Sequence, residues 1–169
     1  GGFGDQLKWL QATLATAAAL RTAGKVSWIF VAGHRPVYSR ASANADGTPS
    51  GSATALQTAV EALFVQYGVD IYFCGHEHSV EVSWPVYNNT AVQSYNQPPY
   101  PVYVVTGAAG CDEGHTSYDS APQTSWNRFT DGTNYGLSVM NIQDANTLTW
   151  TFRRATDGAT LDTFTLTRK

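Results

Sequence analysis

The stretch VDIYFCGHEH, residues 69–78, decides how this chain is read. Val69, Ile71 and Phe73 alternate with Asp70 and Tyr72 in a short, β-branched and aromatic run, the pattern of a largely buried strand. Gly75 ends it, and His76 and His78 follow with Glu77 between them. Residues two apart on an extended backbone point to the same side, so both imidazoles are expected above the strand's carboxyl end. In open α/β sheets that end is where ligands bind. Neutral imidazole is a common metal ligand, and its ordinary pKa of about 6.5 also suits proton transfer. Gly-His-x-His after a buried strand is therefore either a metal site or a pair of solvated loop histidines, and the tetrapeptide alone leaves both open.

A second segment repeats the construction. VSWIFVA at 26–32 is an apolar strand ended by Gly33 and followed at once by His34. Pro36 removes a backbone donor, so the chain must leave the sheet where His34 is presented. Three of the four histidines stand at such junctions, which favours the metal reading over coincidence.

With 169 residues the chain is long enough for one domain with a sizeable core. An apolar content of 43% against 14% charged residues excludes a disordered chain. The net charge of −3 argues against nucleic acid as a partner bound through a basic surface. No run has the length of a membrane-spanning helix, so no membrane partner is expected. The chain opens on GGFGDQ without a methionine, so residue 1 is not expected to be the native amino terminus. Cys74 and Cys111 can be free or paired, and neither has the spacing of a zinc knuckle. Asn88-Asn89-Thr90 fits the N-glycosylation acceptor, with Asn88 on a surface loop of an exported protein.

The other elements follow in order. Residues 1–4 read as the end of a loop. Asp5 caps a helix whose apolar stripe is Leu7, Leu10, Leu14 and Ala18, with Gly24 past its end and Trp9 read as packing. Ser39–Ser52 is small, polar and glycine-containing, an exposed loop. A second helix carries Leu56, Val60, Leu63, Phe64 and Tyr67 on one face and stops at Gly68. Val80–Pro85 and Pro101–Val105 read as strands, and TGAAGCDEGH at 106–115 as a small-residue loop ending in carboxylates and His115. Ser117–Asn134 reads as a long polar connection. Leu137–Ile142, Leu148–Arg153 and Leu161–Thr167 read as a closing β-meander. Helix and strand alternate first and strands follow, so the fold class is α/β with covering helices. Neither an internal repeat nor a linker divides the chain. Tyr38 and Tyr72 read as packing.

With GHRP at 33–36 and GHEH at 75–78, the chain resembles the calcineurin-like metallophosphoesterases, and within them the purple acid phosphatases. FGDQLKWLQ at 3–11, VAGHRPVYS at 31–39, PVYNNT at 85–90 and VTGAAGCDEG at 105–114 follow the family's order. The resemblance implies an α/β/β/α sandwich of mixed sheets with two metal ions between them, iron and a second divalent ion (Zn, Mn or Fe). It implies that His34 and His76 bind the second ion and His78 the iron. Arg35, beside His34, is a candidate contact to phosphate or an exposed ion-pair partner. Glu77 is a candidate acceptor behind the ligands or a solvated residue. His115, with Asp112 and Glu113, lines the mouth of the site or belongs to an ordinary surface loop.

The family's remaining ligands, two aspartates, a tyrosine and an asparagine, lie on DxG, GDxxY and GNH, and this ordered set does not precede GHRP here. The chain is thus expected to be the carboxy-terminal half of one catalytic domain, inactive alone and completed by the amino-terminal half of the same protein. Three imidazoles divided between two ions do not hold Fe(III), a hard ion that prefers oxygen donors. The function implied is phosphate monoester hydrolysis on a phosphorylated small molecule, in a secreted or vacuolar-lysosomal acid phosphatase. The alternatives are nucleotide pyrophosphatase or phosphodiesterase action on the same fold, and a metal-free binding or structural protein that kept it. A storage or surface glycoprotein suits the Asn, Thr and Tyr content but leaves the histidine junctions without a role.

Overall fold

The computed structural model describes residues 5–168, so the loop expected at residues 1–4 lies outside it. Helix α1 spans Gln6–Thr22, and the Asp5 carboxylate accepts the Lys8 N–H at 3.0 Å, satisfying one orphan donor of the first turn. Gly24 lies at φ +68°, the left-handed position that stops the helix. Strand β1 is Phe30–Ala32, helix α2 Gly51–Gln66 and strand β2 Ile71–Cys74. Strand β3 is Val80–Ser83, the short pair β4 and β5 are Val86–Tyr87 and Thr90–Ala91, and β6 is Val102–Thr106. The remaining strands are β7 (Asn127–Asp131), β8 (Gly136–Ile142), β9 (Thr147–Arg154) and β10 (Thr160–Thr167).

One sheet has the order β1-β2-β6-β3-β7, with β1, β2 and β6 parallel and β3 and β7 antiparallel to their neighbours. The other is the antiparallel meander β10-β9-β8. Strand alternation divides the core in two. Tyr72, Cys74, Tyr103 and Val105 pack with the helix residues Leu14, Val60 and Phe64. Ile71, Val80, Val82, Val102 and Val104 pack with Leu148, Trp150, Phe152, Phe164 and Leu166 of the meander. The result is helices, mixed sheet and meander in three layers, the α/β/β part of the expected sandwich. The solvent face of the meander carries threonine pairs, Thr149–Thr165 and Thr151–Thr163, with hydroxyls 3.2 Å apart. Among the described residues no helix is long and apolar enough to cross a membrane.

Four expectations change. The strand expected over Val26–Ala32 is confined to Phe30–Ala32, because the β2 ladder begins at Phe30↔Ile71. The Ile29 N–H goes instead to the Asp70 carboxylate at 2.7 Å. Trp9 does not pack: it is 66% exposed, and Leu7 beside it is 44% exposed. A groove lined by Leu10, Leu14, Val31, Leu56 and Val60 lies between α1, β1 and α2. The segment 39–52 is not wholly an exposed loop, since Ser39 is buried, Arg40–Ser42 form a 3₁₀ turn and α2 begins at Gly51. Within the polar connection 117–134 lies β7, whose sequence NRFTD carries one apolar residue and owes its conformation to pairing with β3.

Burial pushes the carboxyl groups of Glu61, Asp70 and Glu81 above their usual range, against the hydrogen bonds that favour their charged forms. A carboxyl with a raised pKa holds its proton more tightly when folded. Its contribution to stability is full below the ordinary value, 4.5 for Glu and 3.8 for Asp, and is lost as pH rises through the folded value. The melting temperature should therefore fall from mildly acidic to neutral pH. Thermal unfolding between about pH 4 and pH 8 measures it. The slope should shrink in Glu61→Gln, whose amide oxygen can still accept from Tyr38 and the Asn88 N–H.

Candidate metal centre

Parallel pairing of β1 with β2 brings both Gly-His turns out at the same end of the sheet. The ladder runs past the strands: Gly33 N–H donates to the Phe73 carbonyl at 3.0 Å and Gly75 N–H to the His34 carbonyl at 3.1 Å. The rings of His34 and His76 consequently meet edge to face, with centroids 5.1 Å apart and planes at 74°. Gly33 is needed for close approach, since a Cβ there would lie 2.2 Å from the Tyr72 hydroxyl. That hydroxyl donates to the Arg35 carbonyl at 2.8 Å, so Tyr72 both packs and braces the turn that carries His34.

The backbone at His76 is not extended. Its φ is +70°, a left-handed conformation that costs on the order of 1 kcal/mol in a non-glycine residue. The same-side argument for residues two apart therefore does not apply, and the two histidines acquire different neighbours. His76 joins His34. The main chain of His78 is held by the Thr116 hydroxyl, which accepts its N–H at 2.8 Å. The His78 Nδ1 lies 3.1 Å from the Gly114 carbonyl, which can only accept, so Nδ1 carries the proton. Its Nε2 is 3.8 Å from the Glu113 carboxylate.

Arg35 Nη1 lies 3.0 Å from His76 Nε2 and 3.2 Å from the Ser52 hydroxyl. A guanidinium only donates, so His76 Nε2 presents its lone pair, the pair that a cation needs. Arg35 is exposed, and its charge stands against the His76 ring.

Two carboxylates tie the loops together behind the histidines. Glu77 accepts from the Ser42 hydroxyl at 3.0 Å and the Thr116 hydroxyl at 3.3 Å, joining the loop after β1 to the one after β6. Glu81, 2% exposed, accepts from the Ser39 and Tyr118 hydroxyls, the Arg40 N–H and the Asn127 amide. The loop after β6 approaches closely at Gly107, where a Cβ would lie 2.0 Å from the Glu77 carbonyl oxygen. His115 stacks on Tyr135 at 4.0 Å, with Nδ1 3.2 Å from the His78 carbonyl. It is half-buried, and these two contacts hold it beside the His78 main chain.

Among the described residues, His78, Cys111 and Glu113 are the one group of three His, Cys, Asp or Glu donors close enough to share an ion. His34 and His76 belong to no such group. They fit a metal as neutral nitrogen donors, and the hard oxygen donors an iron ion requires are not grouped with them. The single DxG tripeptide, Asp112-Glu113-Gly114, lies beside His78 on the loop after β6, outside the family's order. Both cysteines are free: Cys74 is buried with Sγ 3.6 Å from the Val104 carbonyl, and Cys111 is half-buried. Asn88 is exposed in the turn between β4 and β5, where Asn88 and Asn89 both have positive φ. Sequence reasoning passed over Glu81, because Val-Glu-Val-Ser reads as a strand with one wet face, whereas both faces of β3 are covered.

Residues 2–80 match the family model described as calcineurin-like phosphoesterase, and residues 100–163 the model described as iron/zinc purple acid phosphatase-like protein C. The mixed sheet with Gly-His turns at its carboxyl end is thus that of a metallophosphoesterase. Acid phosphatase A of Cryphonectria parasitica is 35% identical over 168 residues, covering 98% of this chain and 31% of that protein. The chain belongs to the purple acid phosphatase family. Its fold superposes on purple acid phosphatase PPD1 from yellow lupin (Lupinus luteus) with a TM-score of 0.81 at 24% identity, over 99% of this chain and 29% of that one. It also superposes on GAP50, described as the anchor in the inner membrane complex of Plasmodium, with a TM-score of 0.68 at 19% identity, over 100% of this chain and 46% of that one. The chain spans about a third of the length of the curated relatives it matches.

Proposed function

We propose that this chain is the carboxy-terminal half of a catalytic domain that hydrolyses phosphate monoesters at a dinuclear metal centre. The observation that carries the reading is the abutment of the two strand–Gly–His junctions, which sets the His34 and His76 rings 5.1 Å apart at the sheet's carboxyl end. His34 and His76 would hold the second divalent ion (Zn, Mn or Fe), and His78 the iron. The pair of ions, when bound, supplies Lewis-acid polarisation of phosphoryl oxygens and a nucleophile below neutral pH. Histidine donors are neutral, so the positive charge of the centre is not cancelled by this chain and stays available to a phosphate. Arg35 adds a charge-assisted hydrogen bond to the phosphate once its contact with His76 is given up.

The partner is the amino-terminal half of the same protein. The open groove between α1, β1 and α2, and the outer edge of β1, which has no neighbour among the described residues, are the surfaces it would cover. The exposed Asn88 suits a glycan, in keeping with a secreted or vacuolar-lysosomal protein. The full-length protein should turn over an aryl phosphate, lose at least ~90% of that rate on chelation and regain it on metal addition. A rate unaffected by chelation and by added metal would overturn the proposal. A second reading, a metal-free structural protein, is favoured by the likeness to the anchor GAP50. It expects no bound metal and no turnover from the same preparation.

A further inference from the structure

A cavity lies at the opposite end of the sheet from the histidines, where Asp70 leads into β2 and Tyr100 approaches β6. Its volume is about 350 Å³, within the range of small-molecule pockets, and Val69, Pro98, Pro99 and Leu166 give it apolar walls. Two guanidiniums, those of Arg21 and Arg168, line it together with a single carboxylate, that of Asp70. Arg21 donates from Nη1 to the Gly68 carbonyl at 2.5 Å and from Nη2 to Asp70, but its Nε is buried and meets no acceptor among the described residues. Asp70 also accepts the Ile29 N–H at 2.7 Å, so the one anion is already shared. Arg168 has no carboxylate partner among the described residues, and its guanidinium lies 5.6 Å from the centre of the Trp28 ring. Burial, and with it the Arg168 charge, push the Arg21 guanidinium below its ordinary range although Asp70 opposes them. The rim is fixed by the Gln97 N–H, which donates to the Thr167 carbonyl at 3.2 Å from a backbone at φ +52°.

We propose that this pocket binds a small organic acid, whose carboxylate accepts from Arg21 Nε and the Arg168 guanidinium while its apolar body lies against Val69, Pro98 and Leu166. Two guanidiniums less one carboxylate leave a single positive charge, which one carboxylate neutralises. A planar guanidinium fork matches the two oxygens of a carboxylate, and the orphaned Nε gains the acceptor it lacks. The apolar walls favour an acid with a hydrocarbon body over a bare oxyanion. The site is separate from the proposed metal centre. His34, His76 and His78 follow the carboxyl ends of β1 and β2, whereas the pocket lies at the amino ends of the parallel strands β2 and β6.

The full-length protein, stripped of metal so that the histidine site holds no anion, is titrated calorimetrically with benzoate. One saturable site per chain should appear. Arg168→Ala should weaken it about 10-fold or more, the loss of a charge-assisted hydrogen bond. Arg21→Lys, which keeps a charge opposite Asp70 but has no Nε donor, should weaken it likewise. Arg153→Ala, which removes the same charge from the exposed end of β9 remote from Thr167, should leave it unchanged. Inorganic phosphate, without an apolar body, should bind about 10-fold more weakly or not at all. No saturable benzoate binding, binding that survives Arg168→Ala or Arg21→Lys, or phosphate bound as tightly as benzoate overturns the inference. A metal-loaded protein that lacks turnover yet binds benzoate in this way removes the phosphatase reading and leaves this one standing.

Discussion

In the full-length protein, His34→Ala and His76→Ala should each lower kcat/KM for an aryl phosphate by about 10³-fold or more, while the melting temperature of the metal-stripped protein changes little. Several kcal/mol of transition-state charge stabilisation depend on a bound cation, and each decade of rate corresponds to about 1.4 kcal/mol. Both rings lie at the mouth of the sheet, and neither belongs to the hydrophobic core. Their truncation therefore removes donors without opening a cavity, and surface changes of that kind cost within about 0.5 kcal/mol. Steady-state kinetics beside metal analysis reads the result: the rate and the ion content should fall together. A variant that keeps near-normal turnover would show that these imidazoles are not ligands, whatever their proximity.

Glu81→Ala should destabilise the fold by about 3–5 kcal/mol, the largest stability loss expected from any single polar side chain here. The residue is 2% exposed, and its carboxylate accepts from Ser39, Arg40, Tyr118 and Asn127. Removing it leaves several buried donors unpaired, at about 1–3 kcal/mol each, partly relieved where water can enter. A drop of roughly 10 °C in melting temperature corresponds to that loss in a chain of this size. Glu81→Gln keeps the shape but turns an N–H₂ toward donors, so it should fall between the two. A loss below about 0.5 kcal/mol in the alanine variant would mean that these hydrogen bonds do not hold the loops together. Since Ser39 and Arg40 follow the His34 turn and Tyr118 follows the loop that meets His78, the damage should extend to metal affinity.

The parts of the fold that proved legible are those whose pattern is local. The meander strands, the α2 face and the Asp5 cap are each specified by period, turn residues or a capping carboxylate within a few positions. The parts that were not legible depend on partners far along the chain. Strand β7 is polar and exists because β3 offers it a ladder. The Ser39 segment is drawn inward by Glu81, a residue some forty positions away. Trp9 and Leu7 occupy apolar positions on α1 that this chain does not cover.

By itself, the sequence determined that two apolar strands end in Gly-His, and it carried the order of motifs that marks the family. Glycine, proline and the period of apolar residues act through the backbone of their own neighbourhood, so a linear reading finds them. Only the tertiary structure decided which imidazoles meet. Parallel register set His34 against His76, while the left-handed turn at His76 sent His78 to the loop after β6, beside Cys111 and Glu113. Such neighbours arise from strand order and from the path of the chain between strands, which no short-range pattern records.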